Sequence, residues 1–154
     1  MSALVGWAVV LMVIAVVTSG LIAGQMLAIG LANLADRGQP EAEWTRRFQF
    51  ENALFTKTMP VALMVPLLAS VICCFLADGS GRALFIGATA MMSVVLAITL
   101  TVNVPINNQV ASWNVGAAPV TWTRVRDRWL VFHWARTAIG IVSFVLAVAG
   151  LRVA

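Results

Sequence analysis

Four long apolar runs, separated by short polar connections, constrain this chain more than any other feature of its sequence. They cover approximately residues 4–32, 54–77, 83–104 and 121–151. Each is long enough for a helix to cross a bilayer, which takes about 20 residues. Because lipid offers no partner for backbone N–H and C=O groups, such spanning segments are helical. The sequence therefore predicts an all-α membrane protein whose single domain, residues 1–154, is an antiparallel bundle of four transmembrane helices.

The amount of charge supports a membrane location. Charged residues make up 10% of the chain and hydrophobic residues 61%, whereas soluble domains carry about 25% charged residues. This composition excludes a soluble globular domain and a disordered chain. The formal net charge of +4 comes from ten basic and six acidic residues, most of them in three short stretches. That pattern is typical of membrane orientation signals, so we expect no nucleic-acid partner.

The basic residues also predict an orientation in the membrane. Seven of them lie before or at the start of the second and fourth apolar runs, on one side of the predicted bundle: Arg37, Arg46, Arg47, Lys57, Arg124, Arg126 and Arg128. Arg82 and Arg152 lie on the opposite side. By the positive-inside rule, the segments 33–53 and 105–128 are cytoplasmic, both termini are outside, and the protein lies in the cell membrane. No Lys or Arg precedes the first run, so we predict a retained helix and not a signal peptide.

A short amphipathic helix is predicted in the first polar segment. Pro40 followed by Glu41 and Glu43 is typical of a helix start, where proline fits the first turn and acids face the positive end of the helix dipole. The mixture of apolar and charged residues up to Asn52 predicts a helix along the membrane interface. Glu51 and Asn52 would then lie at the mouth of the second span.

The fourth apolar run carries the most informative pattern in the chain. Six residues share one helical face: Trp122, Arg126, Trp129, His133, Arg136 and Gly140. At 100° per residue they lie within about 40° of one line. Ionisable groups in spanning helices normally face the bundle interior or a water-filled cavity, so this face is predicted to point inward. The alternative is an interfacial belt, with Arg136 extended towards the headgroups and the tryptophans at the membrane surface.

Other polar residues are predicted to lie at the same end of the bundle. Asn103 and Asn107 flank Pro105, which leaves a backbone carbonyl without its helical partner. Together with Gln25 on the first helix and the Glu51–Asn52 pair, they would form one polar pocket open to the cytoplasmic side. Pockets between the helices of a bundle are common ligand sites.

The residue types predict no cofactor. One histidine cannot supply the paired ligands of a bis-His haem bundle, and neither a phosphate-binding glycine loop nor a serine nucleophile motif is present. A metal or haem at His133 stays open, although His133 and Glu51 would give only two metal ligands. Cys73 and Cys74 are adjacent and lack the C-x-x-C spacing of a redox pair, so we assign them a structural role.

Two motifs flank the last connection of the chain. The first is Thr-x-Asn-x-Pro-x-Asn, from Thr101 to Asn107, and the second is Arg-x-Arg-Trp followed by His-x-x-Arg-Thr, from Arg126 to Thr137. Together with the four apolar runs, they resemble the anthrone-oxygenase-like family of small integral membrane proteins over nearly the whole chain. The resemblance implies a four-helix membrane fold and an oxidoreductase that converts anthrones to anthraquinones in aromatic polyketide pathways.

The chemistry implied by this resemblance fits the predicted pocket. An anthrone that loses a ring proton becomes an electron-rich anion that can pass an electron directly to O₂, so the implied monooxygenase needs no metal or flavin. His133 would take the proton, while Arg136, Asn103 and Asn107 would stabilise the enolate. The substrate-binding side chains would be Trp129, Glu51, Asn52, Arg126, Trp113 and Gln25. The partners are then an apolar aromatic substrate, O₂ and the lipid bilayer, and a homo-oligomer stays open.

Two other functions remain open at the level of the sequence. One is a non-catalytic membrane partner or assembly module, and the other is a small transporter. A transporter of this size usually has an acidic residue within a span, and no Asp or Glu lies in the middle of an apolar run. A binding module would not need its only histidine beside arginine and tryptophan. Oxygen consumption with anthrone-like substrates distinguishes the enzyme from both.

Overall fold

The computed structural model describes the backbone of residues 2–154 and the side chains of residues 6–55, 58–59 and 61–154. Lys57, counted above among the cytoplasmic basic residues, lies outside the described side chains. The described chain contains no strand and is helical almost throughout, which confirms the predicted all-α class. Five α-helices follow one another: α1 Ser2–Ala35, α2 Glu41–Leu76, α3 Gly79–Ile98, α4 Val104–Ala111 and α5 Trp122–Val153.

Among the described residues, three helical segments are long and apolar enough to cross a membrane: Gly6–Gly38, Gly79–Ala111 and Trp122–Val153. The described residues of α2 include a further apolar stretch, Val61–Leu76. Large apolar side chains such as Leu21 are exposed on the outside of the helices, where a water-soluble protein would carry polar residues. These features indicate a membrane protein.

One continuous helix replaces the predicted interfacial helix and second span. α2 begins at Glu41, directly after Pro40, as predicted, but it continues without interruption to Leu76. The prediction of a separate short amphipathic helix is therefore wrong. The stretch from 49 to 55 contains neither glycine nor proline, so nothing in its backbone ends the helix where its polarity changes.

The third helix also continues further than the sequence predicted. α3 passes into a π-helical turn, Thr99–Asn103, and then into α4, so helical structure extends to Ala111. The sequence predicts an apolar run that ends near residue 104 and another that begins near 121, and in the structure the non-helical connection between them covers only residues 112–121.

The π-helical turn lies where proline interrupts the hydrogen-bond pattern. The Val104 N–H bonds to the carbonyl of Thr99, five residues back. Pro105, the next residue, has no N–H and cannot extend either an α-helical or a π-helical pattern. A wider turn accommodates the missing donor without ending the helix, and it sets the direction of the side chains that precede it.

α5 packs closely against two neighbours, α1 and α3, and α2 contacts the same two helices. Glycines permit the approach of α1 to α5. A Cβ on Gly140 would lie 2.5 Å from Cε of Met26, and a Cβ on Gly30 would lie 3.1 Å from the Trp134 ring. Because the backbones are this close, a side chain on α5 can bond directly to the backbone of α1.

Candidate active site

A cavity of about 210 Å³ lies between the helices. Apolar and aromatic side chains from α1, α2, α5 and the helical segment Gly79–Ala111 form most of its described lining. Six polar residues also line it: Glu51, Asn52, Thr99, Asn107, Asn108 and Arg136. An apolar pocket with a few polar groups is the usual form of a small-molecule site.

The structure brings half of the sequence-predicted site residues to this cavity. Glu51, Asn52, Asn107, Trp129 and Arg136 line it. The other five predicted residues are not part of its described lining: Gln25, Asn103, Trp113, Arg126 and His133.

Two hydrogen bonds fix the Arg136 guanidinium, and some of its N–H donors remain without a partner. Its Nη1 donates to Oγ1 of Thr99 at 3.0 Å, and its Nη2 donates to Nδ1 of His133 at 2.9 Å. Its Nε is buried without a hydrogen-bond partner. None of the ion pairs among the described residues includes Arg136. The cavity wall therefore contains a guanidinium without a carboxylate partner.

His133 lies behind Arg136 and has no exposed surface, which excludes for this residue the interfacial belt considered above. Its Nε2 lies 2.8 Å from the Met26 carbonyl. Because a carbonyl only accepts and a guanidinium only donates, Nε2 carries the proton and Nδ1 accepts from Arg136. The ring stacks on Trp129 with centroids 4.6 Å apart and planes at 17°. Both nitrogens of the neutral imidazole are thus engaged.

Two asparagines hold Trp129 at the cavity wall. The Trp129 Nε1 donates to Oδ1 of Asn107 at 2.8 Å, and Nδ2 of Asn103 donates to the Trp129 carbonyl at 3.4 Å. The Phe48 ring meets Trp129 edge-on, with centroids 5.3 Å apart. Asn103 is 1% exposed, and its Oδ1 has no hydrogen-bond partner. These bonds fix the tryptophan ring between the cavity and His133.

Arg126 connects two parts of the chain and lies away from the cavity. Its Nη1 donates to the Arg37 carbonyl at 2.7 Å, and its Nε contacts Asp127 at 3.1 Å. The guanidinium also lies 5.0 Å from the centroid of the Trp122 ring. Arg126 therefore ties the beginning of α5 to the connection between α1 and α2.

Trp113 and Gln25 also lie outside the described lining. Trp113 packs against Trp44 with centroids 6.4 Å apart, and its carbonyl accepts a 2.8 Å hydrogen bond from Nε2 of Gln49. It is part of an aromatic cluster that joins the last connection to α2. Gln25 is half-buried on α1.

Glu51 belongs to a charged network at the edge of the cavity. Its Oε1 lies 3.6 Å from Nε of Arg47, one turn earlier on α2. Nη1 of Arg47 pairs with Asp36, and Nη2 donates to Oδ1 of Asn33 at 3.2 Å. Asn33 is 1% exposed. Arg47 is thus held between α1 and its own helix, close to the Glu51 carboxylate.

Three contributors to the site were missed by sequence reasoning. Thr99, which holds Arg136, lies four residues before Asn103 and eight before Asn107, so helical spacing could have identified it. Arg47 lies four residues before Glu51, a spacing that favours ion pairs on a helix. Met26 contributes its backbone carbonyl to His133, and no pattern of side chains could have indicated that contact.

The cysteines lie apart from this arrangement, and its residues do not form a metal site. Within the part of the chain that the structure describes, no three His, Cys, Asp or Glu side chains are grouped in a way that could hold a metal ion. Cys73 is buried, and Sγ of Cys74 donates to the Ser70 carbonyl at 3.2 Å.

Comparison with known proteins identifies the family. The profile of the family described as Anthrone oxygenase matches residues 44–146. No curated protein and no solved structure matches the chain. The matched range covers about two thirds of the chain and includes both motifs and all six polar lining residues. The chain therefore belongs to the anthrone oxygenase family.

Proposed function

We propose that the protein is a membrane-embedded monooxygenase that oxidises an anthrone-like or other apolar aromatic substrate in the cavity. The family supports an oxygenase-like function. The observation that carries the proposal is Arg136, a cation without a carboxylate partner at the wall of an apolar cavity. A charge in such surroundings is costly unless it is paired, so the cavity favours a ligand that becomes an anion.

An anthrone becomes such an anion when its acidic C–H loses a proton. The electron pair moves to the carbonyl oxygen, and in the proposal the Arg136 guanidinium donates a hydrogen bond to this oxygen. Asn107 supports the same charge, because its Oδ1 is occupied by Trp129 and its amide nitrogen is the remaining donor. Preorganised donors of this kind stabilise a developing oxyanion. The flat Trp129 ring provides an aromatic wall for the substrate.

The anion then reacts with O₂. It passes one electron to O₂, and the resulting radical pair combines to form a C–O bond and a peroxide, which takes up a proton. Loss of the second proton from the same carbon breaks the O–O bond and leaves a carbonyl group and water. The net change is CH₂ + O₂ → C=O + H₂O. We propose no cofactor for this reaction, because the substrate anion is itself the reductant.

His133 acts as a positioning residue in this proposal. The sequence assigned it the role of base, but its accepting nitrogen already binds Arg136, and the ring is not part of the described lining. The bond from Arg136 to His133 instead fixes the guanidinium, and the bond from His133 to the Met26 carbonyl fixes the imidazole. Asn103 supports Trp129 in a similar way.

We also propose that the protein spans the membrane four times in an antiparallel bundle. The spans are α1, α2, α3 with its continuation, and α5. Contacts between α1 and α5 support opposite directions for these two helices: Gly20 lies against Phe144, whereas Gly30, later on α1, lies against the earlier Trp134. The positive-inside rule then places both termini outside a cell membrane and the connections 33–53 and 105–128 in the cytoplasm. Substrate and O₂ reach the site from the bilayer, and nucleic acid has no part in the function.

The test measures O₂ consumption by the purified protein in lipid nanodiscs with 1,8-dihydroxyanthrone, after subtraction of spontaneous oxidation. We expect Arg136→Gln to lower the rate about 10²–10³-fold, as loss of an oxyanion donor does elsewhere. Arg136→Lys should also be severely impaired, because an ammonium cannot reproduce the planar donor geometry of a guanidinium. Arg128→Gln, at an exposed position of the same helix, is the control. A wild-type rate in Arg136→Gln would overturn the proposal.

A further inference from the structure

We infer that Glu51 is the proton acceptor of the cavity and that Arg47 is its positioning residue. The inference rests on the proposed function, because it names the group that removes the acidic proton of the substrate. It follows from the lining of the cavity, from the network around Arg47, and from the separation of Glu51 from Arg136.

The chemistry of the lining leaves one acceptor. Among the described lining residues, only Glu51 and Arg136 have ionisable side chains. A guanidinium has no lone pair to offer, and amide, indole and hydroxyl groups do not take a proton from a weak carbon acid near neutral pH. A carboxylate does accept protons, and carboxylates are common general bases. Since both ring nitrogens of His133 are engaged, Glu51 is the remaining candidate.

The surroundings of Glu51 orient its carboxylate. Arg47 lies 3.6 Å from Oε1 and is itself held by Asp36 and Asn33. No hydrogen bond to the second oxygen, Oε2, is formed by the described side chains. The contact between Arg47 and Glu51 is an ion pair without a hydrogen bond, since Nε of Arg47 has no hydrogen-bond partner, so it attracts the carboxylate and leaves its oxygens able to receive a proton. Because Arg47 forms ion pairs with both Asp36 and Glu51, its positive charge does not fully neutralise the Glu51 carboxylate.

Glu51 and Arg136 do not neutralise each other. They project from different helices, α2 and α5, and the ion pairs of the described residues do not include a contact between them. A base on one wall and a cation on another suit a substrate whose acidic C–H and carbonyl are on opposite sides of one ring. In an anthrone the CH₂ group and the carbonyl lie opposite each other across the central ring, so the inference requires one bound molecule to contact both Glu51 and Arg136, which line the same cavity.

The proposed proton transfers balance over one turnover. The substrate C–H bond breaks, its proton forms an O–H bond on Glu51, and the electron pair moves to the oxygen beside Arg136. After the anion has reacted with O₂, Glu51 returns this proton to the peroxide. The carboxylate then takes the second proton from the same carbon, the O–O bond breaks, and the leaving hydroxide receives that proton to form water. Glu51 ends the cycle as a carboxylate.

The experiment separates proton removal from oxidation. Without O₂ and in D₂O, an enzyme that removes the C–H proton of 1,8-dihydroxyanthrone exchanges it for deuterium, which mass spectrometry and NMR detect above the rate in buffer alone. We expect Glu51→Gln to lower both exchange and aerobic O₂ consumption by at least about 10²-fold, the contribution of a general base. Substrate affinity should change by less than about threefold, because glutamine keeps the size of the side chain.

Two further variants complete the design. Glu51→Asp keeps the carboxylate and should keep measurable exchange, whereas Glu43→Gln, at an exposed position two turns earlier on α2, should match the wild type. Arg47→Gln should lower the exchange rate while leaving the affinity for substrate nearly unchanged, and Arg47→Lys should restore part of the rate.

The outcomes distinguish this inference from the proposed function. Wild-type exchange in Glu51→Gln would overturn the role of Glu51 while the oxygenase proposal stands. Equal loss in folded Glu51→Gln and Glu51→Asp would assign Glu51 a structural role and would also overturn the inference. A wild-type protein that neither exchanges the proton nor consumes O₂ would overturn both proposals.

Discussion

The position of one proton on His133 decides what this residue can do. The Met26 carbonyl requires a proton on Nε2, and Arg136 requires a lone pair on Nδ1. This tautomer makes the imidazole a link between the backbone of α1 and the guanidinium of α5. A histidine in this position orients its neighbour and has no free nitrogen with which to take a proton from substrate.

Replacing His133 by phenylalanine tests this role. The Phe ring keeps the stack on Trp129 but leaves the buried Met26 carbonyl and Nη2 of Arg136 without this partner, which costs about 1–3 kcal/mol for each unsatisfied group. We expect a lower melting temperature and slower O₂ consumption, with anaerobic deuterium exchange slowed to a similar extent but still measurable, because Glu51 remains. Val131→Ala, on the exposed face of the same helix, is the control. Loss of exchange at an unchanged melting temperature would instead identify His133 as the base.

Sequence reasoning located these residues on a common face but could not rank them. The angle around α5 follows from residue number alone, so the inward direction of Trp129 and His133 could be predicted. Which of these residues reaches the cavity depends on the groups that neighbouring helical segments place against α5. Thr99 binds Arg136, and the Met26 backbone carbonyl binds His133. The periodicity of one helix contains no information about its neighbour's backbone.

At the scale of the helices, the sequence predicts the central part of each helix better than the residues at which the helix begins and ends. Apolar runs end where contact with lipid is expected to end, whereas a helix ends where its hydrogen bonds stop. α2 and the α3–α4 segment continue beyond the apolar runs because favourable residues, and one π-helical turn, continue the backbone bonding. Glu51, Asn52, Asn107 and Asn108 are therefore on rigid helical segments, and a site on rigid elements keeps its geometry better than one on loops.

The contact between α1 and α5 predicts a sharp difference between two glycines of α1. A side chain at Gly30 would meet the rigid Trp134 and His133 rings at 3.1–3.2 Å, whereas a Cβ at Gly24 has no neighbour within 4 Å. We expect Gly30→Val to lower stability by about 1–3 kcal/mol, the usual cost of overpacking, and to lower O₂ consumption because His133 must move.

Gly24→Val provides the matched control on the same helix, and its melting temperature should equal or exceed that of the wild type. Thermal unfolding in detergent, followed by circular dichroism, measures both variants. A similar loss of stability in the two proteins would show that the valine side chain, and not the contact with α5, is responsible.

At the scale of the whole molecule, the proposed orientation can be tested from either side of the membrane. Ser80 and Ser112 are exposed at the α2–α3 turn and in the last connection, respectively. In a background with Cys73→Ala and Cys74→Ala, we expect a membrane-impermeant maleimide to label Ser80→Cys in intact cells. Ser112→Cys should react only after permeabilisation. The reverse labelling pattern would place the polar connections outside the cell.

The cavity also has a consequence for how the protein is made. Its lining combines Glu51, on α2, with Trp129 and Arg136 on α5, which the ribosome synthesises later. A nascent or truncated chain that ends before α5 contains the carboxylate without the guanidinium and the tryptophan opposite it. In our proposal such a chain cannot hold an electron-rich anion, so oxygen radicals are not generated before α5 has been synthesised and inserted.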